Sequence, residues 1–237
     1  MNAKVVTQTA LLLLSSILFI GCSKGEGTTS LTINGEGSSL SRARAVQSLA
    51  IIDAAGNQFT ITEARVAVRH VEFGDDSDSS QSYKLEGPFV VDLLTGVSEP
   101  EMEVASDSLV GIDIERVDVR IDDVDDDYPQ VQPSDELFDY SLYVEGADTD
   151  GTPLVIQLKF NEDIRFDFLS PITVEGGESY DMTLALRMVD WFSAIDLTDC
   201  LNELSGNDTL VISDESNTCN SVEGDLKTAI KNMYDFN

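Results

Sequence analysis

The sequence predicts a mostly β fold, an antiparallel β-sandwich with a small helical C-terminal extension. Three observations carry this. Apolar and polar residues alternate through several separate runs, as in Leu154, Ile156, Leu158 and Phe160 against Gln157 and Lys159. A period of two puts one face of a strand in a core and the other in water. Turn signals separate the runs: Asp53-Ala54-Ala55-Gly56-Asn57 and Asp148-Thr149-Asp150-Gly151 both carry hairpin chemistry. Near the C-terminus the alternation gives way to Val222, Leu226, Ile230 and Met233, spaced as the apolar stripe of a helix.

The elements follow in order. Leu31-Thr32-Ile33 is a short strand inside a Gly-, Ser- and Thr-rich stretch. Ser48 to Ile52 and Gln58 to Phe73 flank the first turn as a hairpin. In the longer arm Phe59 and Ile61 alternate in phase, Ala64, Val66 and Val68 out of phase, and Val71 and Phe73 back again. Such slips mark β-bulges. An acidic loop follows from Gly74 to Ser80. Tyr83 to Leu94 contains Gly87 to Leu94, apolar on both faces apart from Asp92, which suits a central strand with Pro88 at its entry. Leu109 to Ile121 ends in a half-buried strand, with Val117, Val119 and Ile121 alternating against Asp118 and Arg120. Ser141 to Val144 and Leu154 to Phe160 flank the second turn. Two more strands run through Ile164, Phe166 and Phe168, and through Met182, Leu184, Leu186 and Met188, the last closed by Trp191 and Phe192. Thr198 or Asp199 caps a short helix ending near Gly206. Asn220, with Glu223 three residues on, caps the terminal one.

Location is read from the N-terminus. Lys4 gives a positive n-region, and Ala10 to Ile20 is an apolar core interrupted by Ser15 and Ser16. The run is shorter than the roughly 20 residues that span a bilayer, and it suits a cleaved signal peptide. It ends in Leu18-Phe19-Ile20-Gly21-Cys22, which resembles the bacterial lipobox and implies lipidation of Cys22. Several acyl chains anchor a protein stably, since each buried methylene contributes about 0.8 kcal/mol. Ser23, not Asp, follows the cysteine, a pattern that resembles outer-membrane sorting. The expected organisation is a signal peptide over 1–21, a flexible tether over 22–46, a sandwich over 47–197 and a helical extension over 198–237. Lipidation of Cys22 leaves Cys200 and Cys219 as an even pair in an oxidising compartment. A disulfide between them closes a loop of about 20 residues, worth about 3 kcal/mol in the chain-entropy model.

Later stretches add a resemblance. SSLSRARAVQSLAIIDAAGNQFTITEARVAVRHVEF, EGPFVVDLLTG and LALRMVDWFSAIDL, with a short terminal helix, resemble an uncharacterised group of bacterial lipoproteins. These are similar to extracytoplasmic β-sandwich domains of unknown function, often likened to transthyretin, immunoglobulin-like or carboxypeptidase regulatory modules. The likeness covers roughly residues 38 to 236. It implies a single exported sandwich and brings no catalytic residues with it.

The charge balance narrows the partners. With 44 acidic against 14 basic residues the net charge is −30, a field that repels nucleic acid. Catalytic patterns are missing: the sequence holds no Gly-x-Ser-x-Gly elbow, no phosphate-binding glycine loop and one histidine, His70, inside a strand. No enzyme activity and no resident cofactor are expected. Calcium is the best chemical candidate, because hard cations want clustered oxygens on loops. Three stretches supply them: Asp75, Asp76 and Asp78; Asp122, Asp123, Asp125, Asp126 and Asp127; and Asp148 with Asp150. None has the spacing of an EF-hand. Asp92 interrupts an apolar strand and needs partners, from Arg65, Arg69, Arg116 or Arg187, or as a cap. The sequence is therefore read as a lipid-anchored protein of the bacterial cell envelope, in the outer membrane, acting as a non-enzymatic binding or structural module. Its partner would be an envelope protein or polysaccharide. The alternative is a calcium-stabilised carbohydrate-binding or adhesion domain.

Overall fold

The computed structural model describes residues 27–35, 48–75, 81–205, 208–214 and 219–232. The signal sequence, Cys22, Asp76, Asp78 and Met233 lie outside the described residues. Twelve strands and three α-helices are found among those that are described. In chain order the strands are β1 (Thr28–Asn34), β2 (Leu49–Ile52), β3 (Gln58–Gly74), β4 (Ser82–Asp92), β5 (Ser98–Glu99), β6 (Glu103–Ala105) and β7 (Asp113–Ile121). There follow β8 (Leu142–Asp148), β9 (Pro153–Leu158), β10 (Glu162–Thr173), β11 (Tyr180–Ala185) and β12 (Leu210–Ser213). The helices are α1 (Met188–Ser193), α2 (Thr198–Glu203) and α3 (Asn220–Lys231).

The strands build a β-sandwich from two sheets. One is three-stranded, β11-β1-β6; the other is nine-stranded, with the path β10-β7-β3-β8-β9-β12 and β2, β4 and β5 joined to it. A single core lies between them: Leu31, Val104, Met182 and Leu184 from the small sheet meet Phe59, Val66, Val71 and Val119 from the large one. β3 organises the large sheet. Its first half pairs with β2 and β8, its second half with β4 and β7. The expected phase slips are register shifts at Ile61/Glu63 and Val68/His70. Each extra residue re-aims the strand so that apolar side chains keep facing the core over 17 residues.

Several expectations are corrected. The strand expected at Leu31–Ile33 runs over Thr28–Asn34 and is the middle strand of the small sheet, so these residues are not tether. Thr29, Leu31 and Ile33 alternate inward and are all buried; a Thr-rich run fits a pleated surface when its alternate positions are apolar. The pairing is not wholly antiparallel, because β1 runs parallel to β11 and β12 parallel to β9. Trp191 and Phe192 do not close a strand. Met188, Trp191 and Phe192 are buried on one side of α1, the i, i+3, i+4 spacing having won over the alternation. The C-terminal extension is not purely helical, since Leu210-Val211-Ile212 adds β12 to the edge of the large sheet. β4 is flanked by β3 and by the two-residue β5, and Pro88 falls where its register with β3 shifts, the position a missing N–H permits.

The helix ends are also adjusted. Thr198 begins α2, and its N–H is taken by Asp196 Oδ1 at 2.9 Å. That bond holds the Asp196 carboxyl below its ordinary range. Cys219 precedes α3 in a left-handed conformation (φ 64°). Cys200 and Cys219 form a disulfide with Cα atoms 5.6 Å apart, tying α2 to α3. Val222, Leu226 and Ile230 give α3 its expected buried face.

A second, smaller core sits on the outer face of the large sheet. The chain from Asp122 to Ser141 wraps over it, and Val124, Tyr128, Val131 and Leu137 pack on Ala67 and Tyr143. The acidic run at its start is thus the edge of a packed loop. Arg65 fastens the loop to the sheet: its guanidinium lies 2.9 Å from Asp135 Oδ1 and over the Tyr143 ring at 5.4 Å.

Candidate functional site

A polar cleft of about 420 Å³ lies at one end of the sandwich among the described residues. Three elements make it. The β2–β3 turn supplies Gly56, Asn57 and Gln58, the β8–β9 turn supplies Asp148, Thr149, Asp150 and Thr152, and α2 supplies Leu201 and Asn202.

The first wall is fixed by Asp53. This carboxylate is buried, and both oxygens are fully used. Oδ1 accepts the N–H groups of Ala55 (3.0 Å) and Asn57 (2.8 Å); Oδ2 accepts Asn57 Nδ2 (2.8 Å) and the Leu197 N–H (2.9 Å). Charge-assisted hydrogen bonds of this kind are the strong ones. The bond to Leu197, with Ala54 N–H to Ile195 O at 2.8 Å, locks the turn to the junction between α1 and α2. Asn57 Nδ2 also donates to Thr198 Oγ1 at 3.2 Å, which ties the turn to the start of α2. Gly56 closes the turn with φ +92°, a conformation that a side chain would strain.

The second wall repeats the device. Asp148 Oδ1 accepts the N–H groups of Asp150 (2.9 Å) and Thr152 (2.8 Å). These Asx bonds fold the turn without help from elsewhere. The cleft that results is rich in acceptors, with amide donors from Gln58 and Asn202 and one apolar contact from Leu201. Its lining holds no His, Cys, Lys or Arg. Such a surface offers carboxylate and hydroxyl oxygens and side-chain amides as hydrogen-bonding groups.

The acidic candidates are dispersed. Asp148 and Asp150 line the cleft, one of them committed to its own turn. Asp75 is buried at the far end of β3, where its carbonyl takes a hydrogen bond from Arg116 at 3.0 Å. In the outer loop Asp122 Oδ1 accepts the Asp123 N–H, Asp125 Oδ1 accepts the Asp127 N–H, and Asp127 pairs with Arg69 at 3.1 Å. Asp126 is exposed. Burial pushes the Asp123 carboxyl above its usual range, with the neighbouring charge of Asp122 adding to the effect. Among the described residues no three His, Cys, Asp or Glu side chains converge as a metal cage.

Asp92 is a cap, not an arginine partner: Oδ1 accepts the Leu94 N–H at 2.8 Å and the Thr95 N–H at 3.2 Å. His70 lies half-buried on the outer face of β3, opposite Glu86 on β4 and Arg120 on β7. Burial, then the charge of Lys84, lowers its pKa. Around it runs a ladder of charges within β7 and across to β10. Asp118 binds both Arg116 (2.8 Å) and Arg165 (2.9 Å), and Arg120 faces Asp163 at 3.4 Å. Opposite charges across neighbouring strands stabilise a solvated sheet face.

The fold and the cleft together define a class: a β-sandwich with a preorganised polar cleft between two Asx-locked turns and a short helix. No family model, no curated protein and no solved structure matches the chain.

Proposed function

We propose that this chain is a lipid-anchored protein of the bacterial cell envelope, attached through Cys22 in the outer membrane. It acts as a non-enzymatic binding or structural module and takes a polar, uncharged ligand in its end cleft. The hydroxyl groups of an envelope polysaccharide suit it best. The observation that carries the ligand site is the locking of both turns by Asp53 and Asp148, since a site ordered before binding does not spend ligand affinity on ordering itself. The acidic surroundings disfavour anionic ligands. Attachment rests on the sequence from Leu18 to Cys22.

The test is a titration of the isotope-labelled protein with neutral oligosaccharides from envelope polysaccharide, followed by amide chemical shifts. Shifts confined to 56–58, 148–152 and 201–202, and lost in Asn202→Ala with the fold intact, are the expected result. No shift in those residues at millimolar sugar overturns the cleft as a binding site. The calcium-stabilised alternative makes a separate demand, because a cation that binds the folded state alone must raise the melting temperature. Equal melting temperatures in chelator and in millimolar calcium remove it.

A further inference from the structure

The chain enters the fold through a clamp. The Gly27 carbonyl accepts the Ser106 N–H at 3.0 Å, and the Thr28 N–H donates to Ser179 Oγ at 3.4 Å. A Cβ on Gly27 would stand 1.9 Å from the Glu178 carbonyl oxygen, so the backbone passes between two loops with no room for a side chain. Those loops are joined to each other, Gly177 N–H donating to Asp107 Oδ1 at 3.1 Å. From Thr28 onward β1 is held on both sides, Thr28 against Ala105 and Thr29 against Tyr180. Five peptide units therefore separate Cys22 from a fixed point of the fold. Fully extended, they reach about 18 Å.

The clamp lies at a definite end of the molecule. One of its loops leads into β7 and the other leaves β10, at the rung where Asp113 pairs with Thr173. That rung lies beyond the Gly74 end of β3, which pairs with Arg116. The cleft is at the other end of β3, where Gln58 begins the strand and Phe59 pairs with Asp148. β3 is 17 residues long from one end to the other, of order 50 Å at the usual rise.

We propose that the molecule stands on the lipid surface by the end that clamps Gly27 and carries its cleft at the opposite end, turned away from the membrane. This rests on the reading of Cys22 as the lipid attachment. On that reading the acyl chains set the contact and the short link sets the orientation. The membrane-facing end carries Asp107, Asp113, Glu175 and Glu178 with half-exposed Val110. A zwitterionic surface accepts this end closely. An anionic one holds it off, over a range of about 10 Å in 0.1 M salt.

The experiment uses the full-length acylated protein in phosphatidylcholine vesicles doped with a headgroup photo-crosslinking lipid, with crosslinked peptides mapped by mass spectrometry. Crosslinks should concentrate in 106–111 and 175–179 and spare 56–58, 148–152 and 201–202. Ten Gly/Ser residues inserted after Ser23 should scatter them while leaving acylation unchanged. Crosslinks at the cleft turns, or spread evenly over an acylated protein with its natural link, overturn the orientation. An unacylated Cys22 in the N-terminal peptide overturns the attachment itself, and the orientation with it, so the two failures are told apart.

Discussion

Asp53 in the β2–β3 turn and Asp123 in the outer loop are both aspartates drawn inward just after a strand, β2 in one case and β7 in the other. The environment treats them oppositely. Asp53 is buried and receives four hydrogen bonds from backbone and amide donors. Asp123 is half-buried, and its Oδ1 is enclosed without a hydrogen-bond partner. A carboxylate out of water is stabilising when every lone pair it turns inward is met, and costly when one is not. The first turn is therefore a rigid wall, while the second loop holds by its small apolar core and by Arg65 on Asp135. Burial opposes ionisation of Asp135, yet the Arg65 hydrogen bond and the Leu137 N–H hold its carboxyl below the usual range.

The largest effect should come from Asp53→Ala, which strands four donors at once. It is expected to cost about 4 kcal/mol in urea unfolding, and a loss under 1 kcal/mol would break the contrast. Reduction of the Cys200–Cys219 disulfide should come next, at about 3 kcal/mol, because α2 braces the same turn. The measurement is melting with and without reductant, and unchanged melting would show that the turn needs no such brace. Leu137→Ala opens the outer core and is expected to cost about 2 kcal/mol. Hydrogen exchange should then quicken over 122–141 and stay slow along β3. Uniform acceleration would mean that the loop and sheet unfold as one.

The smallest effect has the opposite sign. Because the folded Asp123 pKa is raised, the native state holds its proton more tightly than the unfolded chain. Stability from this group is full below the ordinary aspartate range and falls as pH rises through the folded value. Asp123→Asn should therefore stabilise the protein by under about 1 kcal/mol at pH 7, with the gain vanishing below the ordinary aspartate range. Melting curves across that range check it, and a destabilised variant at neutral pH would reverse the assignment.

Much of this was legible in the chain. The phase slips in Gln58–Gly74 read as bulges because the period of two is visible on both sides of each slip. Both turns showed their Asp and Gly residues. What stayed hidden was distance. Nothing near Asp53 announces that Leu197, 144 residues on, completes its shell. The outer core was obscured because Asp122 to Asp127 dominates its start, while Val124, Tyr128, Val131 and Leu137 follow no regular period. β12 carried a signal, three apolar residues before Ser213, but its pairing with β9 depends on where α2 and α3 place it. The extra helix α1 lay inside a stretch that satisfied both periods, and only the packed core decides between them.

The parallel pairing of β1 and β11 also fixes an order of events. Ser30 meets Asp181 across 151 residues of sequence. A chain made from its N-terminus releases β1 first, yet the strand on one side of it arrives with Glu103–Ala105 and the other with Tyr180–Ala185. Until then Leu31 and Ile33 are apolar residues without a sheet. Contacts so far apart close late and slowly. The small sheet is therefore complete only once Tyr180–Ala185 has been made, and until then the first strand has no parallel neighbour.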